Sequence, residues 1–356
     1  MATQRTKFVA ASLAAVALIA VVVVAVVLMT APTPLGGPGD QSLNGGGAGL
    51  ASLDDTQAPL QLVYPLTGKP ADNEAEVLRR PLSVKIENTP EARPQLGMGA
   101  ADVVYETITE GGITRFNCVF QSTVPPEVGP VRSGRNSDVS LVPQYDALFF
   151  MSGANSRVLG EIADAGLADM SHNAASALYY RVDYRAAPHN LYLRFDDVYT
   201  VAESKGYATA LDRPRRLEFG EPDLNAPGFS DASSVTVPFS DWYVAEWSWD
   251  ASTASYRRSM DGPSLDAADN QQLAATNVVV LWTPYTPLNY KQTSAVSLNG
   301  SGEARVFVGG KQVSCTWSSD GTTPPRFAHA DGSPVKLAPG TTFFQVLDVG
   351  QPIYVS

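Results

Sequence analysis

The sequence has little of what most enzymes use at their active sites. Its 356 residues include only two cysteines, Cys118 and Cys315, and three histidines, His172, His189 and His329. No Cys-x-x-Cys pair and no His-Glu-x-x-His motif is present, so a zinc site is not expected. Gly-x-Ser-x-Gly, P-loop and dinucleotide-binding patterns are also missing. We therefore expect no metal and no cofactor, and no motif identifies a reaction.

Basic residues are scarce as well. The chain has 25 Lys and Arg against 36 Asp and Glu, a formal net charge of -11. General binding to nucleic acid or to anionic lipid surfaces needs a positive field. We expect no nucleic-acid partner, although this charge is compatible with a local basic pocket.

One long apolar run lies near the N-terminus. Residues Phe8–Met29 contain no charge and no proline, and they follow Arg5 and Lys7. As a helix rising ~1.5 Å per residue, the run spans ~33 Å, enough to cross a bilayer core. The preceding basic residues predict a single-pass protein with its N-terminus inside and residues 31–356 extracytoplasmic. The alternative is a cleaved signal peptide, whose apolar region is usually ~7–15 residues long.

Composition divides the chain into four parts. Residues 1–30 are the predicted membrane anchor or signal segment, and residues 31–59, rich in Gly and Pro, are a predicted flexible linker. The remaining chain is long enough for two domains. We predict an α+β fold, with a mixed α/β domain over residues 60–216 and a mostly β domain over residues 228–356.

Periodicity supports this division. Leu82, Val84 and Ile86 alternate with polar residues, as in a half-buried strand. Further elements are predicted as strands over 103–108, 115–120 and 146–151, and as helices over 155–166 and 196–205. Beyond Gly228, short β-branched and aromatic segments alternate with turn-forming pairs, a pattern typical of hairpins.

Three polar constellations are candidates for chemistry, and the first contains Glu106, Glu110 and Arg115. Strand alternation would put Glu106 and Glu110 on one face, where two carboxylates can act as an acid/base pair. The alternative is an exposed polar face whose charge Arg115 balances.

The second constellation is Gly129-Pro130-Val131-Arg132-Ser133-Gly134-Arg135-Asn136-Ser137-Asp138. Two arginines separated by small residues can direct guanidinium groups and free backbone N–H groups at one anion, which makes Arg132, Ser133 and Arg135 candidate ligand-binding residues. On a helix the arginines would share a face, whereas on a strand they would point to opposite faces. A surface loop with solvated arginines is the alternative.

The third constellation is the segment Arg181–Tyr192, in which Arg181 and Arg185 precede Pro188-His189-Asn190. Pro188 restricts Ala187 and so sets the direction in which His189 leaves the chain. A histidine among arginines tends to be neutral, which suits a base or a hydrogen-bond donor. The alternative is a histidine that pins a loop to the domain.

The two cysteines allow two interpretations. Outside the cytoplasm, Cys118 and Cys315 could form a disulfide that joins the two domains. They could equally be two small buried residues, because free cysteine behaves as a compact hydrophobe.

Several segments together resemble the YerB-like family of exported bacterial proteins, which have paired N- and C-terminal domains of unknown function. The segments that carry the resemblance are Glu110-Gly111-Gly112-Ile113-Thr114-Arg115-Phe116, Gly129–Arg135, Pro188–Tyr192, Gly300-Ser301-Gly302-Glu303-Ala304 and Leu337–Val346. The resemblance implies an extracytoplasmic, membrane-attached, two-domain protein without a settled activity, so no catalytic residue is carried over. The chain differs from the family's usual lipoprotein start because it lacks a lipobox cysteine, which shifts attachment to Phe8–Met29. It also has Gly134 where the family would have Ala.

These observations favour a protein that binds an anionic cell-envelope ligand, a wall precursor or polymer. The predicted pocket lies in the N-terminal domain and contains Glu110, Arg115, Arg132, Ser133, Arg135, His189 and Asn190. One alternative is a hydrolase of wall glycan or peptide, with Glu106 or Glu110 as acid and His189 as base. Another is a scaffold that docks an envelope protein through the β domain.

Overall fold

The computed structural model describes residues 61–287 and 294–356. The predicted anchor and linker lie outside the described residues. Within the described part, no helix is long and apolar enough to cross a membrane. Ala58–Ser356 form one compact unit.

The first part of this unit mixes helices with strands. The described residues contain four α-helices, α1 (Glu74–Leu78), α2 (Asp138–Leu141), α3 (Ser156–Asp164) and α4 (Val198–Ser204). Short 3-10 helices cover Pro90–Ala92, Met98–Ala100, Glu110–Gly112, Val142–Tyr145 and Ser176–Leu178. The strands are β1 (Leu82–Glu87), β2 (Val103–Ile108), β3 (Thr114–Phe120), β4 (Glu127–Val128), β5 (Leu148–Phe150), β6 (Ala168–Asp169), β7 (Tyr179–Arg181) and β8 (Leu191–Arg194).

From Phe229 onward, the described chain forms strands and no helix. They are β9 (Phe229–Asp231), β10 (Ser234–Ser240), β11 (Tyr243–Asp250), β12 (Ser255–Ser259), β13 (Ala274–Ala275), β14 (Asn277–Trp282), β15 (Tyr285–Pro287), β16 (Ser294–Val296), β17 (Asn299–Val308), β18 (Lys311–Asp320), β19 (Arg326–Ala328), β20 (Thr342–Leu347) and β21 (Tyr354–Val355). The structure is therefore mostly β with few helices, and its second part is β-rich, as the composition predicted.

Strands from both parts of the chain form one eleven-stranded sheet. Its order is β19-β18-β17-β14-β20-β2-β3-β1-β5-β6, and β9 also pairs with β18. β20 lies between β14 and β2 and runs parallel to both. Smaller sheets contain β13-β12-β11-β10-β21, β4-β8-β7 and β15-β16. The predicted N- and C-terminal domains thus contribute strands to the same sheet.

A hydrophobic core lies on each face of this sheet. Neighbouring residues of β2 point into different cores, Val104 into one and Val103 with Tyr105 into the other. Residues of the five-stranded sheet, the three-stranded sheet and α4 complete the first core. Residues of α2 and α3 contribute to the second. Both cores and every described strand lie within the compact unit Ala58–Ser356, so we expect this unit to fold as a separate fragment.

The local patterns predicted most elements correctly, with one instructive error. The helix predicted from 155 begins at Ser156, and the Asn155 side chain accepts a hydrogen bond from the Val158 N–H. β1, however, is not half-buried: all six of its residues are buried. It lies between β3 and β5 and is covered on both faces, so its polar residues are interior.

Of the two interpretations of the cysteines, the structure agrees with the second: Cys118 and Cys315 are free and buried. Cys118 on β3 belongs to one core and Cys315 on β18 to the other, so they lie on opposite faces of the sheet. Five strand spacings also separate β3 from β18. At about 4.8 Å per spacing this amounts to ~24 Å, far beyond disulfide reach.

Candidate functional site: an arginine cluster at the end of β1

A buried carboxylate, Glu87, lies at the centre of the candidate site. It ends β1 and its side chain is fully buried. Arg132 Nε lies 3.1 Å from Glu87 Oε1, and His189 Nδ1 lies 3.1 Å from Glu87 Oε2. Thr89 Oγ1 donates a 3.1 Å hydrogen bond to Glu87 Oε1. The arginine site, as we call it, comprises Glu87, Glu110, Arg115, Arg132, Arg135 and His189.

The segment that carries Arg132 lies extended along β1. Val131 forms a bridge to the strand, and the Arg132 N–H donates to the Lys85 carbonyl at 2.9 Å. The segment is neither a helix nor part of a continuous strand, so neither predicted arrangement of the two arginines applies. Gly134 fits closely, since a Cβ there would lie 2.5 Å from the sulfur of Met151.

Arg135 and Glu110 form the outer ion pair of the site. Arg135 donates from Nε and Nη2 to Glu110 Oε2 at 3.0 and 2.7 Å. Glu110 belongs to the 3-10 turn between β2 and β3, which lets it reach Arg135. Burial by itself would raise the pKa of Glu110, but the hydrogen bonds and charge of Arg135 outweigh it and hold that pKa below its usual value.

Arg115 is the buried cation of the site. Only 5% of the residue is exposed, and its Nη1 donates to the Ser133 carbonyl at 3.1 Å. Its Nε has no hydrogen-bond partner. In residues 61–287 and 294–356, no carboxylate lies within ion-pair distance of Arg115. Burial, reinforced by the charges of Arg135 and Arg132, lowers the pKa of Arg115 to about 9.

A second buried ion pair lies beside the cluster. Lys85 Nζ donates to Asp138 Oδ1 at 2.8 Å, and neither side chain is exposed. Asn117 Nδ2 donates to the same oxygen at 3.1 Å, and the Arg135 N–H donates to Asp138 Oδ2 at 2.7 Å. Burial lowers the pKa of Lys85, and the Asp138 charge opposes this shift.

The charges of this region do not balance. Four cationic side chains face three carboxylates, and three of the four cations each have one carboxylate partner. Arg115 has none among the described residues. A buried charge without a partner is costly, so this arrangement favours the presence of an anion.

Comparison with known proteins places the chain in a family. DUF3048 is described as a protein of unknown function with an N-terminal and a C-terminal domain. The family model of the N-terminal domain matches residues 66–208, and the family model of the C-terminal domain matches residues 235–344. The chain belongs to the DUF3048 family. A Bacillus subtilis relative described as "Putative lipoprotein YerB" is 30% identical over 294 residues, covering 81% of this chain and 86% of that protein.

A solved structure has the same fold as this DUF3048 chain. The crystal structure of the YerB protein from Bacillus subtilis aligns with a TM-score of 0.75 and 26% identity. The alignment covers 83% of this chain and all of that chain. The YerB-like resemblance found in the sequence is therefore confirmed.

Most of the predicted binding residues of the DUF3048 chain meet at the arginine site. Asn190 does not: its Oδ1 accepts from Arg181 Nη1 at 2.6 Å, and its Nδ2 donates to the Val182 carbonyl at 3.1 Å. Asn190 therefore stabilises the loop between Arg181 and Asn190. Ser133 contributes its backbone carbonyl, which accepts from Arg115 Nη1 at 3.1 Å and from Arg135 Nη1 at 3.3 Å.

Glu106 lies on the face of the sheet opposite to Arg115. The expectation that Glu106 and Glu110 share one face is therefore wrong. In the β2–β3 register Glu106 faces Phe116, whereas Thr107 faces Arg115. Its carboxylate accepts from Arg258 Nη2 at 2.9 and 3.0 Å. The strand ends at Ile108, so alternation does not continue to Glu110.

Sequence reasoning missed three buried charged members of the region. Glu87, Lys85 and Asp138 were not named as site candidates, although all three are fully buried. The one available signal was the polar set that alternates with Leu82, Val84 and Ile86 along β1. In the described residues, no group of three or more His, Cys, Asp and Glu side chains is arranged to hold a metal ion.

Proposed function

We propose that the protein is a membrane-attached, extracytoplasmic binding protein, and that it holds an anionic cell-envelope ligand at the arginine site. Two features support the location: the apolar run Phe8–Met29 and the relative described as "Putative lipoprotein YerB". The family supports no particular ligand, so the ligand is argued from the site.

The observation that carries the proposal is the unpaired Arg115. A bound anion would supply the charge that the region lacks, and charge-assisted hydrogen bonds are among the strongest in proteins. Arg132 offers the accessible contact, since 21% of its side chain is exposed. Among the described residues, its terminal nitrogens have no protein acceptor, and its Nε is not aligned for a hydrogen bond to Glu87.

An uncharged cleft next to the site narrows the ligand class. The cleft has a volume of 310 Å³, and its lining includes Asn136, the residue after Arg135. Hydroxyl and amide side chains dominate its polar lining, from Thr283, Thr286, Ser297, Asn299 and Ser301. Such groups hydrogen-bond to sugar hydroxyls. We therefore propose a phosphorylated or carboxylated glycan, with its anion at the arginines and a sugar in the cleft.

The hydrolase hypothesis has less support from the geometry. In the described residues, Glu106 contacts Asn88, Thr114 and Arg258, whereas His189 contacts Glu87 and Thr89. The two hypothesised catalytic groups therefore have no shared contact in that part of the chain. The lowered pKa of Glu110 keeps it ionised near neutral pH, which is unsuitable for a general acid. The site is better suited to holding a ligand than to cleaving one.

A thermal-shift experiment tests the proposal on residues 58–356. The probes are inorganic phosphate, N-acetylglucosamine 1-phosphate and N-acetylmuramic acid, with N-acetylglucosamine as the uncharged control. A ligand at 100 times its dissociation constant should stabilise the fold by about 2.7 kcal/mol. We expect a shift with an anionic sugar in the wild type and in Arg326→Ala, whose side chain is 70% exposed and distant in sequence.

The same shift should be absent from Arg132→Ala. An equal shift in Arg132→Ala would place the anion elsewhere and overturn the proposal. So would a well-folded wild type that none of the anionic probes stabilises. That second result would favour the scaffold hypothesis and a search for a protein partner.

A further inference from the structure

A second cavity lies where three distant segments of the chain meet. Its volume is 480 Å³, within the range of small-molecule sites. The Leu217 N–H donates to the Pro65 carbonyl at 3.2 Å, and the Gly220 N–H donates to the Leu337 carbonyl at 2.9 Å. These bonds join the beginning of the folded unit, the connection between its two parts and the segment before β20.

The walls of this cavity are mostly apolar, and the carbonyls of Pro65, Glu218 and Leu337 beside it already accept backbone hydrogen bonds. The apolar lining residues are Val63, Pro65, Leu217, Phe219 and Pro339. The Glu218 carbonyl accepts from the Leu337 N–H at 3.0 Å. Because the nearby carbonyls are satisfied, the interior offers few acceptors to a sugar or a peptide. It suits a hydrocarbon chain.

Two basic side chains lie at the edge of the cavity. Arg216 and Lys336 line it and are both exposed. In residues 61–287 and 294–356, neither has a carboxylate within ion-pair distance. Glu218, the acidic residue of the lining, pairs with Arg326 at 3.3 Å. In a chain of net charge -11, two cations beside an apolar cavity point to an anionic ligand.

We propose that this cavity binds a phosphate-bearing lipid. Its phosphate would contact Arg216 and Lys336, and the first part of its hydrocarbon chain would lie against Leu217 and Phe219. Arg and Lys both bind phosphate through charge-assisted hydrogen bonds. This site shares no lining residue with the arginine site, so the proposal does not depend on the glycan ligand.

Isothermal titration calorimetry of residues 58–356 with dodecyl phosphate, below its micelle concentration, tests this assignment. We expect saturable binding at one site. Dodecyl maltoside, with the same chain and no charge, should bind at least tenfold more weakly. The double variant Arg216→Gln/Lys336→Gln should weaken dodecyl phosphate binding at least tenfold. Arg213→Gln is the matched control: an exposed arginine three residues away, outside the lining.

Three results would overturn the proposal: no saturable binding by the wild type, unchanged binding by the double variant, or loss of binding in Arg132→Ala. The last would show that the phosphate occupies the arginine site. Conversely, dodecyl phosphate binding that survives Arg132→Ala, in a protein that no anionic sugar stabilises, would support the lipid site while contradicting the glycan site.

Discussion

At the scale of single residues, Asp102 is a carboxyl group whose burial has a measurable consequence. Only 2% of it is exposed, and it precedes β2. Its Oδ2 accepts from the backbone N–H groups of Gln121 and Ser122, each at 2.7 Å, and its Oδ1 accepts from the Ser122 hydroxyl. Burial raises the pKa of Asp102 to about 6 in spite of these bonds.

This shift predicts that Asp102 stabilises the fold in acid. The ordinary pKa of an aspartate, 3.8, applies to Asp102 in the unfolded chain, whereas its pKa in the folded protein is about 6. The folded protein therefore binds the proton of Asp102 more tightly than the unfolded chain does. The contribution is complete below pH ~4 and is lost as pH rises through about 6. At 1.36 kcal/mol per pKa unit, it amounts to at most about 3 kcal/mol.

Asp102→Asn is the variant that isolates this effect. Its amide oxygen can accept from both backbone N–H groups, and its NH₂ can donate to the Ser122 hydroxyl. Urea unfolding of both proteins from pH 4 to pH 7 should show the wild type losing stability relative to the variant as pH rises. A difference that does not change with pH would show that Asp102 keeps an ordinary pKa when folded.

At the scale of elements, the turn Glu110–Gly112 determines whether Glu110 reaches the arginine site. Gly111 and Gly112 both have positive φ, 76° and 72°. A Cβ on Gly111 would meet nothing within 4 Å, whereas a Cβ on Gly112 would lie 3.0 Å from the Ser240 Cβ. The Ser240 hydroxyl also donates to the Gly112 carbonyl at 2.8 Å. The turn is thus held against β10.

The two glycines form a matched pair for mutation. Gly111→Ala should cost ~1 kcal/mol of unfolding free energy, because alanine is disfavoured in the left-handed region. Gly112→Ala has the same backbone cost and must also displace Ser240, so we expect ~2–3 kcal/mol once that hydrogen bond weakens. Urea unfolding measures both values. Equal losses would show that the contact with Ser240 does not hold the turn.

Local sequence patterns predicted the elements better than their surroundings. Alternation located β1, and capping located α3, because both signals lie within a few neighbouring residues. Alternation could not show that β1 is covered on both faces, so Glu87 was not recognised as a buried site residue. Nor could it show where β2 ends, which led to Glu106 and Glu110 being assigned to one face.

At the scale of the whole molecule, the central sheet joins parts of the chain that are far apart in sequence. Val103 on β2 pairs with Thr342 on β20, and β20 also pairs along its length with β14. Composition correctly predicted a β-rich second part. Composition could not predict this pairing, because the residue types of a strand indicate how buried that strand is and do not indicate which strand lies next to it.

This topology predicts that the fold depends on β20 much more than on the last strand, β21. Ending the chain after Gly340 removes β20, including the buried residues Phe343 and Phe344, and leaves the edges of β2 and β14 unpaired. Exposed edges of this kind promote aggregation. We expect residues 58–340 to give no cooperative unfolding transition in urea, followed by circular dichroism.

Residues 58–353 provide the control, because they lack only β21, an edge strand that pairs with β10. Tyr354 is 62% exposed, so this truncation removes little buried surface. It should still unfold in one cooperative transition, as expected for a single shared sheet. If residues 58–340 also unfolded cooperatively, the two parts would be independent folding units, and the pairing of β2 with β20 would be a contact between finished domains.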